Sequence, residues 1–192
     1  VKEGIKQLRT GTNIGINELC KVSGIEFTEI SSYQIGYIIG PRLNAAGRLG
    51  SAIDSVRLLS TESHANAKNL AQKLNDLNIR RQNLTLEYFL EAEKLVEKDK
   101  EIIFIKGEKW PEGILGLIAG RLTEKYNRPA IVFSTKENFA KGSARSIEEF
   151  NMTEALTKHK NLIEKFGGHN LAAGLPVNVT HLVDLENSLY HY

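Results

Sequence analysis

Apolar positions change their period along this chain, and the longest regular stretch lies in the middle. From Ser63 to about Lys98 there is no glycine or proline. Ala67, Leu70, Ala71, Leu74, Leu77, Leu84, Tyr88, Ala92, Leu95 and Val96 recur there at steps of three and four. That period predicts one long amphipathic helix, or two end to end, with Ser60, Thr61 or Ser63 as N-cap. Asn78 and Arg81 fall on the same stripe and interrupt it. A helix beyond about 25 residues outside a coiled coil suits a connector between two lobes.

On either side the pattern differs. Upstream, short helical pieces alternate with glycines: "EGIKQLR", "INELCKVSG" and "SSYQIGYIIGPRLNAAGRLGSA". Downstream, "EIIFI" and "PAIVF" are short continuous apolar runs that read as buried strands, with the helical "GILGLIAGRLTEKY" between them. Then follow "FAKGSARS" as a strand or hairpin, "NMTEALTKHKNLIEKF" as a helix opened by Asn151 and Glu154 at capping-box spacing, and "LAAGLPVNV" as a strand. The order strand, helix, strand, strand, helix, strand predicts a small α/β layer domain whose first crossover joins parallel strands. The boundaries fall at 1–60, 61–98 and 99–192, and the fold class is α/β.

Composition narrows the function classes. Hydrophobic residues make up 41% of the 192 and charged residues 25%, ordinary for a soluble globular protein. No apolar run approaches the ~20 residues that span a bilayer, and "VKEGIKQLRT" has no signal-peptide pattern. The single Cys20 excludes an internal disulfide and fits a reducing, cytoplasmic setting. A net charge of +2 permits a nucleic-acid partner without demanding one. The chain starts on Val inside a helical pattern, which suggests a piece of a longer protein.

Four stretches carry candidate chemistry. In "IEKFGGHNLAAGL" one imidazole, His169, sits among Gly167, Gly168 and Gly174. Glycine in regular structure is costly, so something must approach the backbone closely, or Gly167 caps a helix ahead of a buried strand. His169 suits a general acid or base, a metal ligand or a donor to a phosphate oxygen. In "GPRLNAAGRLG", Arg42 and Arg48 flank small residues; one straight helix would put them about 600° apart, whereas a turn-rich segment would let them converge on an anion. In "KGSARSIEEF", strand alternation points Ser143 and Arg145 to one face, and two hydroxyls with one guanidinium make a phosphate cradle. In "WPEGILGLIAGRL", Gly113, Gly116 and Gly120 share a helical face and let the helix sit close to a sheet. The phosphate-loop and dinucleotide fingerprints are absent, as is any His, Cys and carboxylate spacing that would complete a metal site.

Taken in order, "PRLNAAGR", the connecting helix, "GILGLIAGRLTEKYNRPAIVF", "KGSARSIEEFNMTEAL" and "KFGGHNLAAGL" resemble the RecJ single-stranded-DNA-specific exonucleases of the DHH phosphoesterase superfamily, from about residue 30 to 180. The resemblance implies the end of a DHH domain over 1–60, a connecting helix, and a mixed-sheet DHHA1 domain over 99–192. It implies 5′-to-3′ hydrolysis of single-stranded DNA in repair and recombination, with two Mn²⁺ or Mg²⁺ ions on ligands upstream of Val1 and none in this chain. His169 would then act catalytically, donating to a phosphate oxygen, while Gly167 and Gly168 let the strand pass close by. Ser143, Arg145 and Ser146 match the family's S-x-R-S element and would hold the 5′ phosphate. Arg42, Asn44 and Arg48 match its asparagine-alanine-glycine element at the same end. Implied partners are single-stranded DNA with a 5′ phosphate and, among proteins, a single-strand-binding protein or a helicase, with no membrane. Pro111 stands where the family commonly has histidine, and Ala144 where glycine is frequent. Alternative readings are an oligoribonuclease or cyclic-dinucleotide phosphodiesterase of the same superfamily, and a non-catalytic replication-fork scaffold.

Overall fold

The computed structural model describes all of residues 1–192. It divides into two compact units, Val1–Asn83 and Leu84–Tyr192.

The first unit is helical. Helix α1 (Lys2–Arg9) precedes α2 (Ile14–Ser23), whose N-cap Asn13 accepts from the Ile16 N–H at 2.9 Å. Next comes a continuous helical path: α3 (Ser32–Gln34), a π-helical turn over Ile35–Ile39, and α4 (Gly40–Leu49). Pro41 explains the widened turn. It lacks an N–H and its ring crowds the carbonyl four residues back, so the turn ahead of it opens and the Gly40 N–H reaches the Ile35 carbonyl, five residues back. Gly40–Leu49 is therefore helix, not the turn-rich stretch that would let Arg42 and Arg48 converge. After α5 (Ile53–Ser60), the long helix α6 runs over His64–Glu93. Of the three candidate caps Ser63 serves, its Oγ accepting from the Asn66 N–H at 3.3 Å. Leu19, Ile30, Leu58, Ala67, Ala71 and Leu74 form the core, each fully buried. At the polar break in the stripe Asn78 is buried, and its Oδ1 accepts from Arg81 at 2.7 Å.

The second unit is a five-stranded mixed sheet in the order β1-β2-β3-β5-β4. Strands β1 (Ile103–Glu108) and β2 (Ala130–Lys136) are parallel and joined through α7 (Leu115–Tyr126). Strands β3 (Phe139–Arg145), β4 (Gly167–His169) and β5 (Ala172–Asn178) complete it with antiparallel pairings. Phe104, Phe133, Ala144, Leu175 and Val177 turn to one face and pack with α8 (Met152–Lys158) and α9 (Leu182–Tyr190) in a single apolar core. Helix α7 lies against β2 and β3 on the other face.

The last turns of α6 belong to this unit. The Trp110 indole donates to Glu91 Oε1 at 3.3 Å and lies 5.3 Å from the Tyr88 ring. The Glu93 carboxylate accepts from the Tyr126 hydroxyl at 3.0 Å and from Lys125.

Three expectations need correction. The long helix ends at Glu93 rather than near Lys98. The helix expected over "NMTEALTKHKNLIEKF" stops at Lys158. Ile163 is buried, and Leu162 and Phe166 pack beside it on the core, which a straight continuation of α8 would not serve. Asn151 caps α8, accepting from the Glu154 N–H at 3.2 Å, while the Glu154 carboxylate pairs with Lys158 at 3.3 Å. Finally, Gly167 caps no helix: Gly167–His169 is an edge strand, hairpinned to β5 through Asn170 and Leu171.

Candidate nucleic-acid interface

The sheet register assembles the site. Ser143 on β3 stands opposite Gly174 on β5, which stands opposite Gly167 on β4. In the neighbouring row of the same parity, Arg145 stands opposite Ala172, and Ala172 opposite His169. Residues directly opposite in a ladder share a face, and so do residues two apart along a strand. Ser143, Arg145, Gly174, Ala172, Gly167 and His169 thus form one patch, on the α7 side of the sheet. Gly167, His169 and Gly174 are exposed.

Helix α7 reaches this patch through a glycine. A methyl group at Gly116 would stand 2.9 Å from Ser143 Oγ and 3.0 Å from Arg145 Nη2, so only glycine lets the helix lie this close without displacing both. Gly113 does not share that helix; it belongs to the 3-10 turn Glu112–Ile114 that precedes it. Arg145 is further fixed by its own strand, Nη1 donating to the Ala144 carbonyl at 2.7 Å. Thr123 on α7 donates to the Arg145 carbonyl at 3.4 Å.

The Leu171 N–H donates to His169 Nδ1 at 3.3 Å. In a neutral ring, an Nδ1 that accepts leaves the hydrogen on Nε2, which makes that atom a donor. The two glycines before it differ in role. A Cβ at Gly168 would lie 2.2 Å from the Ala172 carbonyl oxygen and 2.6 Å from the Ala173 Cα, so the hairpin itself excludes any side chain there. At Gly167 and Gly174 an added Cβ meets nothing within 4 Å. The fold does not require either glycine, and both leave open space beside His169 and Ser143.

The remaining candidates lie elsewhere. Ser146 donates from Oγ to the Phe150 carbonyl at 2.7 Å, and its N–H donates to the Leu171 carbonyl at 2.9 Å. Its hydroxyl ties down the loop after β3 and does not join the Ser143–Arg145 row. In the first unit, Arg42 donates from Nε to Asn75 Oδ1 at 3.0 Å and from Nη1 to the Ile38 carbonyl at 2.8 Å, and burial lowers its pKa from the usual value. Arg48 lies six positions on along the same helix, about 240° around the axis. The two therefore do not share a face; Asn44 is exposed. No group of three or more His, Cys, Asp or Glu side chains comes together, so the residues present do not suit a divalent metal. No helix is long and apolar enough to cross a membrane.

Sequence reasoning passed over Lys141. The alternation that pairs Ser143 with Arg145 puts Lys141 on the same face, where Glu112 holds its ammonium at 2.7 Å.

The DHHA1 domain family matches residues 99–188. The single-stranded-DNA-specific exonuclease RecJ of Bacillus subtilis (strain 168) is 36% identical over 191 residues, which is 97% of this chain and 24% of that protein. Crystal structures of RecJ from Thermus thermophilus in complex with Mg²⁺ and with Mn²⁺ each match at a TM-score of 0.91 and 28% identity. Each match covers 100% of this chain, and 30% and 28% of theirs. The chain therefore spans 24–30% of the length of these relatives. Residues 99–188 match the DHHA1 domain family, and nearly the whole chain is similar to a segment of RecJ.

Proposed function

We propose that this chain is the strand-holding part of a nuclease that hydrolyses phosphodiester bonds in single-stranded DNA from the 5′ end, in repair and recombination. The observation that carries this reading is the shared face of Ser143, Arg145 and His169 beside the bare backbone of Gly167 and Gly174. A guanidinium binds phosphate through charge-assisted, often bidentate hydrogen bonds. Ser143 Oγ adds a short donor beside it, and His169 Nε2–H supplies a donor toward a non-bridging oxygen on which negative charge grows. Glycines without side chains let a sugar-phosphate backbone come close. Asn44 and Arg48 offer a second set of phosphate donors in the first unit, and Arg42 holds the helix that carries them.

The name of the B. subtilis relative supplies the substrate class, and its identity across 97% of this chain supports carrying it over. Mg²⁺ and Mn²⁺ accompany the T. thermophilus structures. On this reading the ligands of such ions belong to other residues of the longer protein, and the chain by itself binds without cutting. A single-strand-binding protein or a helicase would act as a protein partner of the whole enzyme.

The test is His169→Ala in the full-length protein, assayed for Mn²⁺-dependent cleavage of single-stranded DNA. Cleavage falls at least tenfold while strand binding persists. Undiminished cleavage would remove His169 from the chemistry.

A further inference from the structure

Beyond Ser143, the outward row of β3 continues through Lys141 to Phe139. Across the ladder Pro176 stands opposite Lys141 and Asn178 opposite Phe139. Phe139 is 56% exposed, so the fold gains little from an aromatic ring there. Lys141 is exposed, and its one ion pair, to Glu112, is exposed on both sides.

Resting on the reading of Ser143 and Arg145 given above, we propose that the strand-binding face extends along β3. Lys141 takes the phosphate next to the one at Ser143 and Arg145, and Phe139 stacks a base beyond it. A positively charged track with an aromatic ring on the same surface is the general solution for single strands, because every base has a π-face and every linkage a phosphate. Steps of two residues along a strand advance about 6.6 Å, an interval comparable with the repeat of an extended single strand. Glu112 occupies Lys141 until a phosphate replaces it. Exposed ion pairs contribute little net energy, so the exchange costs little. The same carboxylate repels an incoming phosphate and weakens binding.

Fluorescence anisotropy with the 192-residue chain tests this, using a 5′-phosphorylated thymidine dinucleotide and a 5′-phosphorylated thymidine octanucleotide. Phe139→Ala and Lys141→Ala each weaken octanucleotide binding about tenfold, as expected for a lost stacked base or phosphate contact. Phe139→Ala leaves dinucleotide binding unchanged, Lys141→Ala weakens it as well because the dinucleotide carries the adjacent phosphate, and Glu112→Gln strengthens octanucleotide binding. Phe139→Trp, which keeps a stacking surface, retains full affinity and controls for any loss of folding in the alanine variant. Octanucleotide affinity unchanged by both alanine variants overturns the extension, as does an octanucleotide bound no more tightly than the dinucleotide. Arg145→Ala separates the two levels. Weakened binding of both oligonucleotides keeps the underlying reading whatever becomes of the extension, and no effect on either refutes the reading itself.

Discussion

His159 sits at the C-terminal end of α8, its ring edge-on to Tyr192 at 6.2 Å and its Nε2 buried without a hydrogen-bond partner. Burial, and after it the neighbouring Lys158, hold its pKa below the usual value of about 6.5. The folded state thus keeps the ring neutral where the unfolded chain already protonates it. Its contribution to stability is present above pH ~6.5 and is lost as the pH falls through and below that value. The thermal midpoint is expected to drop between pH 7 and pH 5, and His159→Phe to flatten that drop. An identical pH dependence in the variant would contradict this account. At the same scale, part of the candidate site was legible: period-two alternation at "GSAR" placed Ser143 and Arg145 on one face, as the register shows. The division of labour between Gly167 and Gly168 was not, because it depends on the Ala172 carbonyl of a partner strand. Nor was the second role of Ser146, whose acceptor is a backbone carbonyl four residues on.

At the level of elements, the last turns of α6 are clamped to the sheet unit by side chains distant in sequence. Trp110 bonds Glu91 and packs on Tyr88, and Glu93 accepts from both Lys125 and Tyr126. Trp110 is 3% exposed, and losing such a contact set costs about 3–5 kcal/mol by analogy with large-to-small core substitutions. A polypeptide of residues 84–192 is therefore expected to unfold cooperatively, and at a clearly higher temperature than residues 99–192. Equal midpoints would show that the helix end is a passenger. Long elements with a clear period were readable from sequence: α6, α7 and the buried strands β1 and β2 fall close to where the apolar pattern puts them. Strand β4 was not, since three residues, two of them glycine, carry no period. The end of α8 was hidden because Leu162, Ile163 and Phe166 continue the helical spacing with no glycine or proline between Asn151 and Phe166. The π turn before Pro41 was equally silent, a local answer to a missing N–H inside an otherwise unbroken helical pattern.

For the whole molecule, we propose that the second unit presents a phosphate-binding face built by the sheet register. Net charge is only +2, so general electrostatic attraction is weak and binding must come from this local arrangement. On the proposed reading, affinity for single strands is expected to fall with rising salt, since each neutralised phosphate releases counterions. The most direct measurement compares 5′-phosphorylated and 5′-hydroxyl single-stranded DNA of one length, titrated against the chain and its Arg145→Ala variant at matched, low ionic strength. The wild-type chain is expected to bind the phosphorylated end at least several-fold more tightly, and Arg145→Ala to remove this preference. Equal affinity for the two ends in the wild type, or a preference that survives the substitution, would contradict it.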